Sequence, residues 1–509
     1  MSILGRRFIQ LGLAVGVLLV FVGPPSVAME DQEVLDYVTL RIAELLELHD
    51  IPGAAVAVVR GGEIVMAEGV GLADAATGRP IDADTLFLLA STSKLFVTVA
   101  VLQLVEQGLV DLDDDVNEYL ETLRVPETYA EPITLAHLLT HTAGFEDMDI
   151  LPPGAVRTPL GEYLATNMPD RVRPPGVAPA YSNYGMGLAA FVVEQVSGVP
   201  FGEYAATHIF GPLGMASTTY DDPLPDELAA RCAVGYGYAD DRWIELPDDV
   251  PARINLAPVG EARSSASDMA RFMSACLETS ASGPSEFLGD AMLAEMLSPQ
   301  FRMDDRFAGM CYGFHERIEG GVRLIYHGGD SLTFHTALIL VPEEDLGVFV
   351  AFNGVEGVTA RVKLMLGLHD QLAATEPDES TTRRGFGNAA RCEGDYLTTR
   401  RKYDGSEGLA AWWKQTLTFK ADDRGRLYRP QAPDAKFAEV EPLVFDEIDG
   451  PRTIVFCEGA DGVIDHMFLP EFPLEAYERL SGWRTPRFVK QVVGAAVICV
   501  GVVLAAILF

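Results

Sequence analysis

The chain has 509 residues, of which 48% are hydrophobic, and a formal net charge of −36 at pH 7. So large a negative charge argues against nucleic acid as a partner, because its phosphates would be repelled. The length exceeds that of one ordinary domain, and the apolar content is sufficient for a large core.

The N-terminus is typical of a secretory signal peptide. Arg6 and Arg7 form a short basic region, residues 8–22 are apolar, and residues 26–28 form a small-x-small cleavage site. We therefore predict that residues 1–28 are a signal peptide and that the protein is exported to the periplasmic or extracellular face. An uncleaved anchor is the alternative, and the arginine pair leaves twin-arginine export open.

The body of the chain begins with a predicted helix, residues 33–48, and a strand–turn–strand unit, residues 53–65, whose turn is marked by a Gly-Gly pair. Residues 91 to about 240 have mostly helical patterns, and strands return at 324–326, 335–341 and 347–353. This order predicts an α/β fold of the α+β type. A helical lobe would lie beside an antiparallel sheet covered by terminal helices, with the site between the two lobes.

Ser91 and Lys94 stand three residues apart at the start of an apolar, helix-like run. On a helix they share a face, so Ser91 Oγ and Lys94 Nζ can meet. Serine is a weak nucleophile until a neighbour takes its proton, and a buried lysine can lose its own proton and do so. The spacing is that of the S-x-x-K acylation motif. Two solvated side chains on a surface helix are the alternative.

Two further motifs follow in the chain: Y-S-N at residues 181–183, after a Pro-Gly loop, and H-G-G-D at residues 327–330. With S-x-x-K and the stretches that connect them, they resemble the serine β-lactamase-like and penicillin-binding protein family. That family includes class C β-lactamases, DD-peptidases and related esterases (peptidase family S12-like). The resemblance implies a β-lactamase/transpeptidase-like catalytic domain over residues 31–372, without a metal or another cofactor.

The resemblance also implies a role for each motif residue. Ser91 would form the acyl-enzyme, with Lys94 removing its proton. Tyr181 would be a proton shuttle, its phenol shifted toward phenolate by the nearby lysine. Asn183 would hold Lys94 and the substrate amide through hydrogen bonds.

His327 stands where many members of the family have lysine, with Gly328 and Gly329 after it in the substrate-binding strand. A histidine titrates near neutral pH, so its attraction for a substrate carboxylate would be partial. The resemblance places the oxyanion hole at the backbone N–H groups of Ser91 and Asp330. The Asp330 carboxylate could repel an acidic substrate.

Some polar residues have no role in these motifs. His137 and His141 are four apart, but the glutamate of a zinc-binding H-E-x-x-H motif is missing, so we predict that they are structural. Cys392 and Cys457 lie in one later segment. Export would allow them to form a disulfide, and two free buried thiols are the alternative.

The pattern changes in the last quarter of the chain. Residues 376–388 are polar and predict a linker, and residues 391–480 alternate as an antiparallel meander, a small barrel or sandwich. This part is similar to the lipocalin-like appendages of some members of the family. Residues 490–509 end in an apolar run long enough to cross a bilayer, so we predict a transmembrane segment, with a buried soluble helix as the alternative.

These observations favour an exported serine hydrolase that acts on an ester or amide, such as a small D-amino-acid peptide or ester. A β-lactamase is the first alternative. A non-catalytic, membrane-tethered penicillin-binding or sensing module is the second. The predicted partners are the small substrate and the membrane, and the oligomeric state stays open.

Overall fold

The computed structural model describes residues 29–148, 157–247, 255–277, 287–373, 387–448 and 450–482. The predicted signal peptide, nearly all of the predicted linker and the predicted transmembrane segment lie outside these ranges. Among the helices within them, none is long and apolar enough to cross a bilayer.

The helices of the described residues are concentrated in the first three quarters of the chain. They are α1 (Asp31–Leu48), α2 (Lys94–Glu106), α3 (Leu135–Leu139), α4 (Leu160–Thr166), α5 (Asn183–Ser197), α6 (Phe201–Ala205), α7 (Asp226–Ala229), α8 (Ala266–Leu277), α9 (Asp290–Leu297), α10 (Gly357–Ala373) and α11 (Gly405–Gln415).

The strands fall into two main groups, with two short pairs between them. The first group is β1 (Gly53–Arg60), β2 (Glu63–Asp74), β3 (Arg79–Pro80), β8 (His315–Glu319), β9 (Val322–Asp330), β10 (His335–Val341) and β11 (Leu346–Phe352). The short pairs are β4 (Phe87–Leu88) with β7 (Arg263–Ser264), and β5 (Tyr236–Ala239) with β6 (Arg242–Glu245). The second group is β12 (Gly394–Thr398), β13 (Leu417–Ala421), β14 (Leu427–Arg429), β15 (Ala432–Glu441), β16 (Val444–Glu447), β17 (Thr453–Glu458), β18 (Ile464–Phe468) and β19 (Ala476–Arg479).

The first group forms a seven-stranded antiparallel sheet in the order β3-β2-β1-β11-β10-β9-β8. α1 and α10 pack on one face, and α8 with the helical lobe packs on the other. Because both faces are covered, β10 and β11 are buried along their whole length. The predicted Gly-Gly turn joins β1 to β2, and both glycines have positive φ, as a tight hairpin requires. The predicted fold class is confirmed.

The second group closes into a barrel, in which each of β12 to β19 pairs with the next and β19 pairs with β12. The barrel interior is filled by aromatic side chains that meet edge to face, including Tyr396, Phe419 and Phe456. The predicted meander is therefore a barrel rather than a sandwich, and its core is packed with side chains.

Cys392 and Cys457 are free thiols. Cys392 lies in the barrel core, whereas Cys457 follows the inward-facing Phe456 and packs outside the barrel wall near Met303. Successive residues of a strand point to opposite faces, so the wall separates the two sulfurs. Of the two alternatives left open by the sequence, the structure has the free thiols.

Candidate active site

The proposed nucleophile lies on a short 3-10 turn, Ala90–Ser93, which leads directly into α2. Ala90 has a φ of 48°, a conformation that costs a non-glycine residue energy and that recurs at functional sites. Thr336 of β10 holds this turn, because its Oγ1 donates to the Leu89 carbonyl and lies 2.8 Å from Thr92 Oγ1. The turn is thus tied to the central sheet.

Lys94 is fully buried one turn after the serine. Its Nζ lies 3.0 Å from Ser91 Oγ and donates to the Val259 carbonyl at 2.8 Å. Burial, and then the charge of Arg400, holds the pKa of Lys94 well below its ordinary value. A neutral amine at this position can accept the serine proton, so the structure brings together the pair that the S-x-x-K spacing predicts.

Tyr181 lies across the cavity, with its ring centroid 5.0 Å from Lys94 Nζ. Its ring is buried, and this raises its pKa to about 12, although a hydrogen bond with Ser91 and the charge of Arg400 act in the opposite direction. The predicted shift toward phenolate is therefore wrong. Burial penalises the anion more than the neighbouring groups favour it, and a neutral lysine supplies no charge.

Asn183 begins α5 and lines the cavity. No hydrogen bond joins it to Lys94, whose partners are Ser91 and the Val259 carbonyl. The predicted Lys94–Asn183 hydrogen bond is thus wrong. The buried Asn183 Oδ1 has no hydrogen-bond partner within the described residues. It can accept from a substrate amide, which leaves the other half of the predicted role open.

His327 is buried in β9, and its Nδ1 lies 2.9 Å from the Gly328 carbonyl. Its pKa is well below 6.5, chiefly because of burial and then because of His315, Lys94 and His141. The expectation that it titrates near neutral pH is wrong. The imidazole is uncharged there, so it can offer a hydrogen bond to a substrate but not the charge of the lysine it replaces.

His141, predicted to be structural, packs on Tyr181 and does not line the cavity. Its ring packs on Tyr181 with centroids 4.4 Å apart, and its Nδ1 accepts from the Ser182 N–H. The residue has a positive φ of 57°. His137, four residues earlier, acts separately from His141. It forms the N-terminal cap of α3 together with Thr134.

Gly329 is required by a close approach of β9 to the nucleophile turn. A Cβ on Gly329 would lie 2.1 Å from the Leu89 carbonyl oxygen and 3.0 Å from the Thr92 nitrogen. A Cβ on Gly328 would meet only the guanidinium of Arg361, 2.3 Å away. The two glycines were predicted from substrate binding alone, because a contact between distant residues is not visible in the order of residues.

Asp330 ends β9, and its carboxylate is paired with Arg361 and His335, at 2.5 and 2.8 Å. These partners offset the predicted repulsion of an acidic substrate. The next N–H, of Ser331, donates to Phe334 on the β10 side. Since successive N–H groups of a strand alternate, the N–H of Asp330 points away from β10, and the family resemblance assigns it to the oxyanion hole.

The cavity at Ser91 has a volume of about 680 Å³ and is formed by both domains. Arg400, which follows β12 of the barrel, lines it. The guanidinium carbon lies 4.9 Å from the Tyr181 ring centroid, and Nε lies 3.4 Å from Asp147 Oδ2. Arg400 was missed, because it lies more than 200 residues after the Y-x-N motif in a segment without motifs.

The barrel also supports Tyr181 directly. The Tyr181 N–H donates to the Leu474 carbonyl at 3.1 Å, and Ala180 forms an antiparallel bridge with Glu475. Thr399, next to Arg400, donates to the Pro179 carbonyl. Tyr181 and Arg400 are therefore held by hydrogen bonds at the same contact between the two domains. In the part of the chain that the structure describes, no group of three or more His, Cys, Asp or Glu side chains could hold a metal ion.

The arrangement places a serine of the cavity wall and a buried lysine at hydrogen-bond distance. The family model for Beta-lactamase matches residues 38–370, so the chain belongs to that family. A β-lactamase of Yersinia enterocolitica is 30% identical over 287 residues, which are 55% of this chain and 69% of that protein. Esterase EstB of Burkholderia gladioli is 32% identical over 40% of this chain and 57% of its own length.

Other relatives are named penicillin-binding protein or D-alanyl-D-alanine-carboxypeptidase/endopeptidase, and the match covers between 46% and 70% of their lengths. The solved structure of SurE has the same fold, with a TM-score of 0.62 and 22% identity. The match covers 88% of this chain and 99% of the SurE chain. This extent includes the barrel. The protein is thus a serine hydrolase in the broad sense of the family.

Proposed function

We propose that the protein is an exported serine hydrolase that forms an acyl-enzyme on Ser91 and cleaves a small ester or amide. The observation that carries this proposal is the buried Lys94, which lies 3.0 Å from Ser91 Oγ and has a lowered pKa. Burial favours the neutral amine, which can take a proton from the serine, whereas a surface lysine is a cation.

In the proposed reaction, Ser91 Oγ attacks the carbonyl carbon as Lys94 Nζ takes its proton. The N–H groups of Ser91 and Asp330 stabilise the oxyanion. The proton then passes through the neutral phenol of Tyr181 to the leaving oxygen or nitrogen, and the acyl-enzyme forms. Water attacks the ester in the second half, and the same groups return the proton to Ser91.

The proposed substrate carries a carboxylate on its leaving group, as a D-amino-acid peptide does. Support comes from Arg400, which lies over Tyr181, is about two-fifths exposed and, among the described residues, has one ion pair, with Asp147 at 3.4 Å. It can supply the charge that the neutral His327 lacks.

Arg400→Gln should therefore lower kcat/KM at least tenfold for a peptide with a free carboxylate, because about one charged hydrogen bond to the substrate is lost. For the corresponding peptide amide, the loss should be much smaller. Equal losses would contradict this role.

Ser91→Ala tests the nucleophile. The variant should keep its fold and lose both hydrolysis and labelling by a fluorophosphonate, because Oγ makes the covalent bond. Circular dichroism provides the folding control. Residual activity above about a hundredth of that of the wild type would contradict the assignment.

A β-lactamase is the second candidate, favoured by the relatives that carry this name. A chromogenic cephalosporin separates the alternatives. Rapid turnover indicates a β-lactamase, stable labelling of Ser91 by penicillin without turnover indicates a penicillin-binding or sensing module, and hydrolysis of D-peptides or esters alone indicates the proposed hydrolase.

Export and membrane attachment are part of the proposal and rest on the sequence of residues 1–28 and 490–509. Deletion of residues 485–509 should move an active protein from the membrane to the soluble fraction, because catalysis is assigned to residues 31–372. Fractionation followed by an activity assay measures this. A truncated protein that stays with membranes would contradict the anchor.

A further inference from the structure

The cavity at Ser91 extends well beyond the reacting groups. From His327 it passes over β8 and β9 to α10, where the barrel covers it. The residues that line this far arm from both domains are largely apolar: Val362, Met365 and Leu366 of α10, and Leu469, Phe472 and Leu474 of the segment between β18 and β19. None of them is used in the acylation chemistry.

Phe472 is the most unusual of these residues, because 56% of it is exposed although its neighbour Pro473 is buried. A large aromatic ring left in water on the wall of a cavity is typical of a ligand-binding surface. The arm is also continuous with the cavity of the nucleophile, so whatever it binds is joined to the reacting carbonyl.

The three arginines of the arm are already paired. Arg317 pairs with Glu319, Arg361 with Asp330, and Arg452 with Glu447. An anionic substrate group would have to compete with these pairs, and it would also meet the carboxylates of Asp370 and Glu471, which line the cavity as well. An apolar group would instead cover exposed carbon and leave the ion pairs intact.

The arm is assigned to the acyl side of the substrate by elimination within the cavity. Tyr181 delivers the proton to the leaving group, and Arg400 lies over the Tyr181 ring, so the leaving group occupies that end. Of the apolar lining of the arm, Leu474 adjoins that end, because its carbonyl accepts from the Tyr181 N–H, and the acyl group extends from there past β9 toward α10 and Phe472.

We propose that this arm, between α10 and the barrel segment 469–474, binds a long or bulky apolar group on the acyl side of the substrate. The barrel thus helps to select the substrate as well as to hold the catalytic residues. This inference rests on the proposed function, since it takes the acyl-enzyme on Ser91 as given.

The test is hydrolysis of a series of p-nitrophenyl esters from acetate to dodecanoate, all kept monomeric in solution, by the full chain. For the wild type, kcat/KM should rise with acyl length, by at most about fourfold for each methylene that enters the arm. The ratio of the decanoate to the acetate rate should fall at least about tenfold in Phe472→Ala, because part of the wall is lost.

Leu366→Ala changes the opposite wall of the arm, on α10, and should lower the same ratio. A loss in this variant as well would show that the effect of Phe472→Ala does not come from a local disturbance of the barrel loop. Trp413→Ala is the matched control. Trp413 is an exposed aromatic residue of the same domain that does not line the cavity, so its removal should leave the ratio unchanged.

A flat length profile in the wild type, or a ratio unchanged in both Phe472→Ala and Leu366→Ala, would overturn the inference while leaving the acyl-enzyme intact. Failure of every ester, acetate included, to acylate Ser91 would instead count against the proposed function. The two failures are therefore distinguishable.

Discussion

At the scale of single residues, the site depends on which groups lose their charge on burial. Lys94, His141 and His327 all have lowered pKa values, chiefly because of burial, and the Tyr181 pKa is raised for the same reason. The uncharged form is favoured in each case. Arg400, in contrast, stays in contact with solvent and brings a positive charge to the cavity from the other domain.

This distribution of charge predicts the pH dependence of acylation. Lys94 is a base only when neutral, so kcat/KM should fall as the pH drops through its lowered pKa. Arg400→Gln removes a positive neighbour, which raises the pKa of Lys94 and should move the acidic limb to higher pH, by up to about one unit. The measurement is the pH profile of kcat/KM on a neutral ester.

Arg452→Gln serves as the control for that experiment. Arg452 lines the same cavity but is paired with Glu447 and does not act on Lys94. The acidic limb should keep its position in this variant. An identical limb in Arg400→Gln and the wild type would show that burial alone lowers the pKa of Lys94.

At the scale of elements, the site depends on how closely β9 approaches the turn that carries Ser91. Hydrogen bonds from Thr336 of the neighbouring β10 hold the turn, and the absence of a side chain at Gly329 lets the two backbones come together. The same strand carries Asp330, whose N–H is one of the two proposed oxyanion donors. Strand and turn therefore set the distance between the nucleophile and the oxyanion donor.

Gly329→Ala should lower kcat by at least about a hundredfold, because the new Cβ would press on backbone atoms of residues 89 and 92 and move the oxyanion donor. Gly328→Ala is the comparison. Its Cβ meets only the end of the Arg361 side chain, which can shift, so the loss should be much smaller. Steady-state kinetics on one ester measures both, and equal losses would show that the close approach is not what limits catalysis.

At the scale of the whole molecule, a buried network fastens the barrel to the catalytic domain. Glu478 of β19 accepts from Tyr403 and pairs with Arg401 and with Arg173, which belongs to the loop before Tyr181. Burial raises the Glu478 pKa, but the two arginines outweigh it and hold the pKa below 4.5. The carboxylate is thus ionised at neutral pH and joins the two domains.

Glu478→Gln should destabilise the protein by about 3 kcal/mol, because it leaves two buried guanidinium groups without a carboxylate. Urea denaturation followed by fluorescence measures the loss. Glu458→Gln, which breaks an exposed barrel ion pair with Arg391, should cost less than about 1 kcal/mol. Similar values for the two variants would mean that the network does not fasten the domains.

The Glu478 carboxylate also makes the stabilisation by this network depend on pH. Since its pKa is lowered in the folded state, its contribution to the free energy of unfolding is complete above the ordinary value of 4.5. It is lost as the pH falls from there through the lowered pKa. The difference in stability between the wild type and Glu478→Gln should therefore shrink in acid.

The sequence by itself determined the parts of this protein that depend on local pattern. The spacing of Ser91 and Lys94 on one helix face, the Gly-Gly hairpin and the strands 335–341 and 347–353 follow from periodicity and turn chemistry, and the structure has them at nearly the predicted positions. Within the predicted meander, the bounds of β12, β15 and β19 do not follow from the pattern, because these strands are short or lack a clear alternation.

Only the tertiary structure decided what depends on burial and on contacts between distant residues. Burial set the charge states of Lys94, Tyr181 and His327, since the cost of desolvating a charge is not visible in the order of residues. Folding of the barrel against the catalytic domain brought Arg400 to Tyr181, although the two residues are 219 positions apart in the sequence. A motif fixes the groups that react, whereas the packing of the whole chain fixes their protonation and the shape of the cavity around them.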